Sequence, residues 1–370
     1  MNAEPQNTNQ RLRYALLGDG QSPHLLKWAR ALAPLVDLWV CSSRGFAPEL
    51  AALVPTEQRL ALNTQPAHGG GNAALLRQLP TVARWLRQVD ADWINPHYLT
   101  SHGTLVLLAH RLWRLRGRVL ASAWGSDVLV TPQRHAAYRW LTQAILRQAT
   151  LCSSDSQHMA AVMQQLGARR VLTFPFGLDA LPPVPAQPKQ AWLFYANRGL
   201  EPIYQPLRVL ELFAAIAAWQ PQAQLVVANS GSQLAAMQAW VQRAGLDARV
   251  QFVGRLAAAE QAQWYARAQW FISLPQSDSV AVSVLEAMAH GCIPLLSDLP
   301  ANRELVQPGV NGGIVPDAAQ GQALPDWMAA TLPALLAQAD AIATANRQWV
   351  QQHGLFAPAV QQLVQTLQSL

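Results

Sequence analysis

Residues 275–298 read PQSDSVAVSVLEAMAHGCIPLLSD, and this stretch decides the fold. An apolar run, Trp270–Ser273, leads into it, and a short polar loop follows that carries Asp278. The spacing then predicts a helix capped by Ser279 and stopped about three turns later at Gly291. A second apolar run, Ile293–Leu296, begins at once. Strand, helix and strand in such short compass make one unit of a parallel sheet.

Working outward, the same alternation fills the chain. Tyr14–Leu17, Leu38–Cys41, Trp93–Ile94, Val119–Ser122 and Leu151–Ser153 read as strands, each followed by a polar turn and a helical pattern. Ser22-Pro23 supplies a cap and a first-turn proline for the first helix, with Leu25, Leu26, Ala29 and Leu32 on one face. FPFGLD (174–179) runs into LPPVPAQP, a stiff connector ending at Pro188. Beyond it Trp192–Tyr195, Gln224–Ala228 and Val250–Val253 continue the theme. The expectation is two doubly wound α/β domains facing across a cleft, with ligands at strand C-termini. The expected bounds are 1–180, a linker at 181–190, 191–354, and a last helix at 355–370 that can cross back to the first domain.

The chain has 370 residues, 51% hydrophobic and 13% charged, enough to bury two cores. Met1–Gln10 is polar and no stretch of about 20 apolar residues occurs, which predicts neither a signal peptide nor a membrane span. Cys41, Cys152 and Cys292 are scattered, which predicts buried thiols rather than disulfides or zinc. The formal charge of +6 is local. Arg111, Arg114, Arg116, Arg118, Arg134, Arg139 and Arg147 lie close together in sequence against Asp127 alone. Arg111, Arg114 and Arg118 fall at helical spacing, and Arg134, Tyr138, Trp140 and Leu141 form a second amphipathic piece. These are read as a solvated face or as a surface for anionic lipid headgroups that brings a lipid-linked acceptor close. No stacking module accompanies the arginines, so nucleic acid is not expected as a partner.

The chemistry concentrates at the helix after Asp278. Its first N–H groups, from about Val280 to Ser283, and its dipole form a seat for a diphosphate. Asp278 and Glu286 are acceptor-only groups on either side of that donor surface, an arrangement suited to a ribose and a sugar flanking phosphates.

These residues resemble the E-x7-E motif of retaining glycosyltransferase family 4, which has the GT-B fold. Asp278 stands at the first acidic position and Glu286 at the second. PLLSDLPANRELV and GVNGG (294–313), VQFVGRL (250–256), FPFGLD and the turn Gly18-Asp19-Gly20 follow in the family's order. The resemblance implies that Glu286 holds the ribose and Asp278 the transferred sugar. Backbone of Ala281, Val282 and Ser283 holds the diphosphate, with Arg198 paired to its charge. Gly254 and Arg255 lie along the base, and Gly18 and Gly20 permit close approach of the donor. The segment 197–206 has Arg198 but lacks the lysine that the family commonly adds. In the first domain SAWGSD (122–127) replaces a histidine-containing turn, which leaves Asp127, Ser126 and His97 as candidates to face the acceptor.

The implied activity is a retaining hexosyl transfer from a nucleoside diphosphate sugar to a glycan or lipid-linked acceptor, in bacterial surface polysaccharide synthesis. It runs without metal or other cofactor, and the expected place is the cytoplasm, peripheral at the inner face of the membrane. Two rivals remain: a GT-B nucleotide-sugar epimerase, and a non-catalytic partner subunit.

Overall fold

The computed structural model describes residues 11–64, 73–317 and 324–370; the polar stretch Met1–Gln10 lies outside them. The chain divides into two compact units. The first takes the chain up to Asp155, Met159–Thr173 and Phe356–Leu370; the second takes Ser156–His158 and Phe174–Leu355.

The first unit is built on a parallel sheet of seven strands: β1 (Arg13–Gly18), β2 (Asp37–Ser42), β3 (Arg59–Ala61), β4 (Trp93–Pro96), β5 (Arg118–Ser122), β6 (Leu151–Ser154) and β7 (Val171–Thr173). Their order is 3-2-1-4-5-6-7. The second unit has β8 (Gln190–Ala196), β9 (Gln224–Ala228), β10 (Val250–Gly254), β11 (Ala268–Ser273), β12 (Ile293–Ser297) and β13 (Gly313–Val315), parallel in the order 10-9-8-11-12-13. In each sheet the winding reverses once, at β1/β4 and at β8/β11. Connections leave such neighbours to opposite faces, so a crevice opens beyond their carboxyl ends.

The central strands are largely apolar because helices cover both faces. Leu16, Leu17, Phe194, Tyr195, Trp270 and Phe271 have no exposed surface. In the second unit Phe194 stacks on Trp270 with ring centroids 5.7 Å apart. All three cysteines are buried and unpaired. Ser22 caps the first helix, Pro23–Leu32, accepting from the His24 N–H. The last helix, Phe356–Ser369, belongs to the first unit, where Phe356 meets Trp28 edge to face.

The proline connector is tied to the second unit at both ends. Arg347 donates to the Pro182 carbonyl, and Lys189 Nζ donates to the carbonyls of Tyr265 (2.6 Å) and Ala268 (2.9 Å). The ammonium thereby answers carbonyls at the end of the helix Ala258–Arg267 that have no partner within it.

Three expectations need correction. The helix after Asp278 spans Val282–Ala289, shorter than read, and its N-cap is Ala281 without a side-chain bond. Ser279 lies two residues before that cap position, and its hydroxyl meets Ser156 Oγ at 2.7 Å. Arg111, Arg114 and Arg118 do not share a helix: it ends at Trp113, Arg114 turns left-handed (φ 49°) and Arg118 opens β5. The second amphipathic piece is likewise broken at His135, between Thr131–Arg134 and Ala136–Gln148. Among the described residues no single helix is long and apolar enough to cross a membrane.

The glycine turn after β1 is set by its own chain. A Cβ at Gly18 would lie 2.5 Å from Leu25 Cδ1, and one at Gly20 would lie 2.7 Å from the Gly45 carbonyl and 2.6 Å from Ser42 Oγ. A leucine tip can move aside, whereas the carbonyl belongs to the loop that the Gly20 N–H and carbonyl also hold. Gly20→Ala is therefore expected to destabilise the chain by about 2–3 kcal/mol and Gly18→Ala by about 1 kcal/mol. Urea denaturation of both variants checks the order; equal losses would show that the turn tolerates a side chain at Gly20.

Candidate active site

In the second unit the reversal at β8/β11 brings Arg198 and Asp278 together, the first just beyond β8 and the second on the loop beyond β11. Arg198 Nη2 and Asp278 Oδ2 form an ion pair of 2.5 Å, with the two side chains 19% and 21% exposed. Arg198 Nη1 also donates to Ser283 Oγ at 3.3 Å, in the first turn of the helix Val282–Ala289. The guanidinium carbon lies 4.5 Å above the centre of the Tyr204 ring. The Gln276 N–H donates to the Ile203 carbonyl, lacing the two loops that carry these groups. Arg198 Nε is buried with no partner among the described residues. Burial raises the Asp278 carboxyl above its usual range, while the Arg198 charge and the Ser279 N–H pull it back.

Glu286 sits on the same helix, half-buried. The Tyr265 hydroxyl donates to its Oε2 at 2.9 Å and accepts from Asn197 Nδ2 at 2.7 Å. Burial first, and then the neighbouring Glu286 charge, push the Tyr265 hydroxyl well above the ordinary tyrosine range. It therefore remains a donor at any physiological pH. Tyr265, Asn197 and Tyr204 escape sequence reading, since a tyrosine within a helix and an asparagine beside a strand carry no local signal. Gly254 adopts a left-handed φ of 70°, and its carbonyl accepts from the Asn229 N–H. Arg255 Nε donates to Ser230 Oγ at 2.7 Å, and the Ser230 carbonyl accepts from the Leu200 N–H. The β9 loop thus joins Gly254 and Arg255 to the segment that carries Arg198. Ala281 is buried, and Val282 and Ser283 start the helix.

In the first unit the other candidates gather where β1, β4 and β5 end. His97 Nε2 lies 2.9 Å from Asn95 Oδ1, which also accepts from the Tyr14 hydroxyl at 2.8 Å. Asn95 Nδ2 donates to the Leu120 carbonyl, so the amide orientation is fixed and Nε2 must be the protonated nitrogen. Burial, with His102 and His24 adding to it, lowers His97 to about 3, a neutral imidazole. Trp28 and Trp124 flank it at 4.9 and 5.5 Å between ring centroids. Tyr98 follows with a left-handed φ of 69°, opening one π-helical turn, Tyr98–Gly103. Its hydroxyl meets Ser126 Oγ at 2.8 Å.

Asp127 has no exposed surface. Its Oδ1 accepts from the Trp124 N–H and its Oδ2 from the Leu99 N–H, both at 2.9 Å. Burial raises it to about 6 and these backbone donors oppose the rise. The carboxylate fastens two loops to each other. Gly18 and Gly20 lie in the packed turn already described. Arg111, Arg114 and Arg118 are exposed on this unit; Arg111 Nε donates to Gln148 and Arg118 stands 5.9 Å from the Trp93 ring centre. Among the described residues no three histidine, cysteine or acidic side chains are placed to hold a metal ion.

Comparison with known proteins bears on both units. Residues 182–361 match the family model of glycosyl transferases group 1, and residues 13–156 match the model described as glycosyl transferase 4-like. No curated protein sequence matches the chain. Among solved structures, HepE of Anabaena in complex with UDP-glucose is similar at a TM-score of 0.72 and 19% identity, over 96% of this chain and 100% of that one. Sucrose-phosphate synthase from Thermosynechococcus elongatus is similar at 0.75 and 17% identity, over 96% and 98%. The lipopolysaccharide outer core galactosyltransferase WaaB, in its apo form, is similar at 0.64 and 16%, over 91% and 94%. Each part matches a glycosyltransferase family and the two units are parallel-sheet α/β domains, so the chain belongs with the GT-B glycosyltransferases of the family 4-like group.

Proposed function

We propose that the chain is a retaining hexosyltransferase that uses a nucleoside diphosphate sugar and serves bacterial surface glycan synthesis. One observation carries the reading: Arg198, Ser283 and the start of the helix Val282–Ala289 form a cationic, donor-rich seat with Asp278 and Glu286 on either side. In this reading the N–H groups of Val282 and Ser283 and the Arg198 guanidinium hold the diphosphate. Glu286, oriented by Tyr265, accepts from the ribose hydroxyls, and Gly254 and Arg255 lie along the base. Asp278 serves the transferred sugar. The acceptor belongs with the first unit, where His97 is the neutral candidate to meet a hydroxyl. Asp127 is assigned to fixing the loops rather than to the acceptor, because both its oxygens already accept backbone N–H groups.

The chemistry is front-side displacement. The acceptor oxygen bonds to the anomeric carbon on the face that the diphosphate leaves, and a phosphate oxygen takes the acceptor proton. The protein supplies position and charge stabilisation, with no enzyme nucleophile and no metal ion. The complexes of HepE with UDP and UDP-glucose make uridine diphosphate the first probe.

Glu286→Gln should leave the fold intact and lower transfer by about 10²-fold or more, since a charged acceptor is exchanged for a neutral amide. Thermal unfolding against a panel of nucleoside diphosphates, without metal, should show a shift with one base that is lost in this variant. No shift with any member would favour a non-catalytic partner subunit.

The exposed arginines and two apolar neighbours support a second element of the reading, a peripheral site on an anionic lipid surface. Leu112 is 66% and Trp140 64% exposed, on the helices whose ends Arg111 and Gln148 join. Exposed aromatic and aliphatic groups beside cations suit a headgroup interface. Replacing Arg111, Arg114 and Arg118 with glutamine should weaken binding to phosphatidylglycerol vesicles by about fivefold per arginine. Trp140→Ser should weaken it at high salt as well. Unchanged vesicle sedimentation in both variants rules out the membrane surface.

A further inference from the structure

We infer that Asp278 is the resident counter-ion of Arg198, occupying the guanidinium face that a diphosphate needs and giving way when one arrives. This rests on the proposed donor site and deepens it: Asp278 acts on the donor through Arg198, as an internal competitor for its charge.

The helix Val282–Ala289 begins at Ala281 without a side-chain cap. Its first N–H groups carry the positive end of the helix dipole. Arg198 brings a full positive charge to the same place, 3.3 Å from Ser283 Oγ. Two positive sources in a spot where the side chains are only about one-fifth exposed require an anion. Asp278 is that anion: its Oδ2 meets Nη2 at 2.5 Å, and its Oδ1 accepts from the Ser279 N–H.

The arrangement also leaves Arg198 somewhere to stay when Asp278 lets go. The guanidinium rests on the Tyr204 ring at 4.5 Å; the Tyr204 N–H donates to the Glu201 carbonyl, and the preceding Ile203 carbonyl accepts from the Gln276 N–H. Stacking and the Ser283 hydroxyl hold the cation without the carboxylate. The ion pair is thus not what positions Arg198; it is what neutralises it. Exchanging one charge-assisted bond for another then lets a diphosphate enter at little net cost. The displaced carboxylate is an acceptor that becomes available to a sugar hydroxyl only after the diphosphate is seated. A free sugar meets Asp278 already paired, so phosphate binding comes before sugar recognition.

The experiment is calorimetric titration of the whole chain with UDP and, separately, with inorganic pyrophosphate as a probe independent of the base. Thermal unfolding of the unliganded proteins is run alongside. Asp278→Asn should tighten both probes by roughly fivefold, the size of a partly exposed ion pair no longer competing. The same variant should melt lower than the wild-type chain when unliganded. Asp278→Glu, which can restore the pair, should stay within about twofold of wild type for both probes. A structural or direct-binding role for Asp278 moves affinity and stability downward together. Affinity that is unchanged or weaker in Asp278→Asn therefore overturns the inference. Failure of the wild-type chain to bind either probe is a different result, and overturns the glycosyltransferase donor site itself.

Discussion

A helix that starts without a side-chain cap presents bare N–H groups, and much of the second unit is arranged around that one electrostatic demand. The strand order sets the stage, because the reversal at β8/β11 keeps the carboxyl ends of both strands clear of a crossing connection. Ala281 at the cap position offers no oxygen, where a serine or aspartate would have satisfied the helix internally. Asp278 upstream brings a negative charge near, paired with Arg198. An internally capped helix would be more stable and would have less to offer an anion. Binding capacity here is stability left unclaimed.

Deeper in the same unit the constraint changes from charge to desolvation. The Tyr265 hydroxyl is buried between Asn197 and Glu286, and burial makes its ionisation so costly that it stays a donor. A permanent donor fixes the orientation of the Glu286 carboxylate. Asn197 in turn donates to Gln261 at 2.6 Å, so the arrangement extends into the helix that Lys189 clamps through its terminal carbonyls. The support around Glu286 therefore runs to the connector at the start of the unit. A loss of packing at Lys189 would be felt at the ribose end of the proposed site.

The sequence reading succeeded where a signal was local and failed where a distant partner decided. Strands of four or more apolar residues, such as Trp270–Ser273 and Ile293–Leu296, were legible. The edge strands β3, β7 and β13 have three residues each and left no run to recognise. Ser279 looks like a cap because serine before a helix usually is one; the cap position lies two residues later, and the hydroxyl meets Ser156, far away in sequence. The helix carrying Arg111 was read through to Arg118 because it ends on a left-handed arginine rather than a glycine. Gly117, close behind, fits only because no side chain must share space with the Ala91 carbonyl, 2.5 Å from where a Cβ would lie. The acidic pair Asp278 and Glu286 was visible as a spacing. That Asp278 would face Arg198, or Glu286 meet Tyr265, depends on which strands neighbour one another, and composition along the chain does not encode that.

The two units answer polarity in opposite ways, and the difference bears on what each can accept. The second gathers charges: a guanidinium, a helix terminus and two carboxylates within one loop cluster. The first lines its buried strand ends with neutral polar groups. Tyr14, Asn95, Ser122 and Ser153 bond to one another beneath the strand ends, with every distance between 2.8 and 2.9 Å. His97 joins this chain through its protonated Nε2, and burial keeps the ring uncharged. Asp127, close by, is wrapped in backbone N–H groups and raised to about 6. A desolvated, neutral network repels a diphosphate less than a carboxylate would, yet offers it no counter-charge. It suits hydroxyl groups, which need one donor and one acceptor at fixed places. The neutral network under these strand ends follows from burial rather than from residue count.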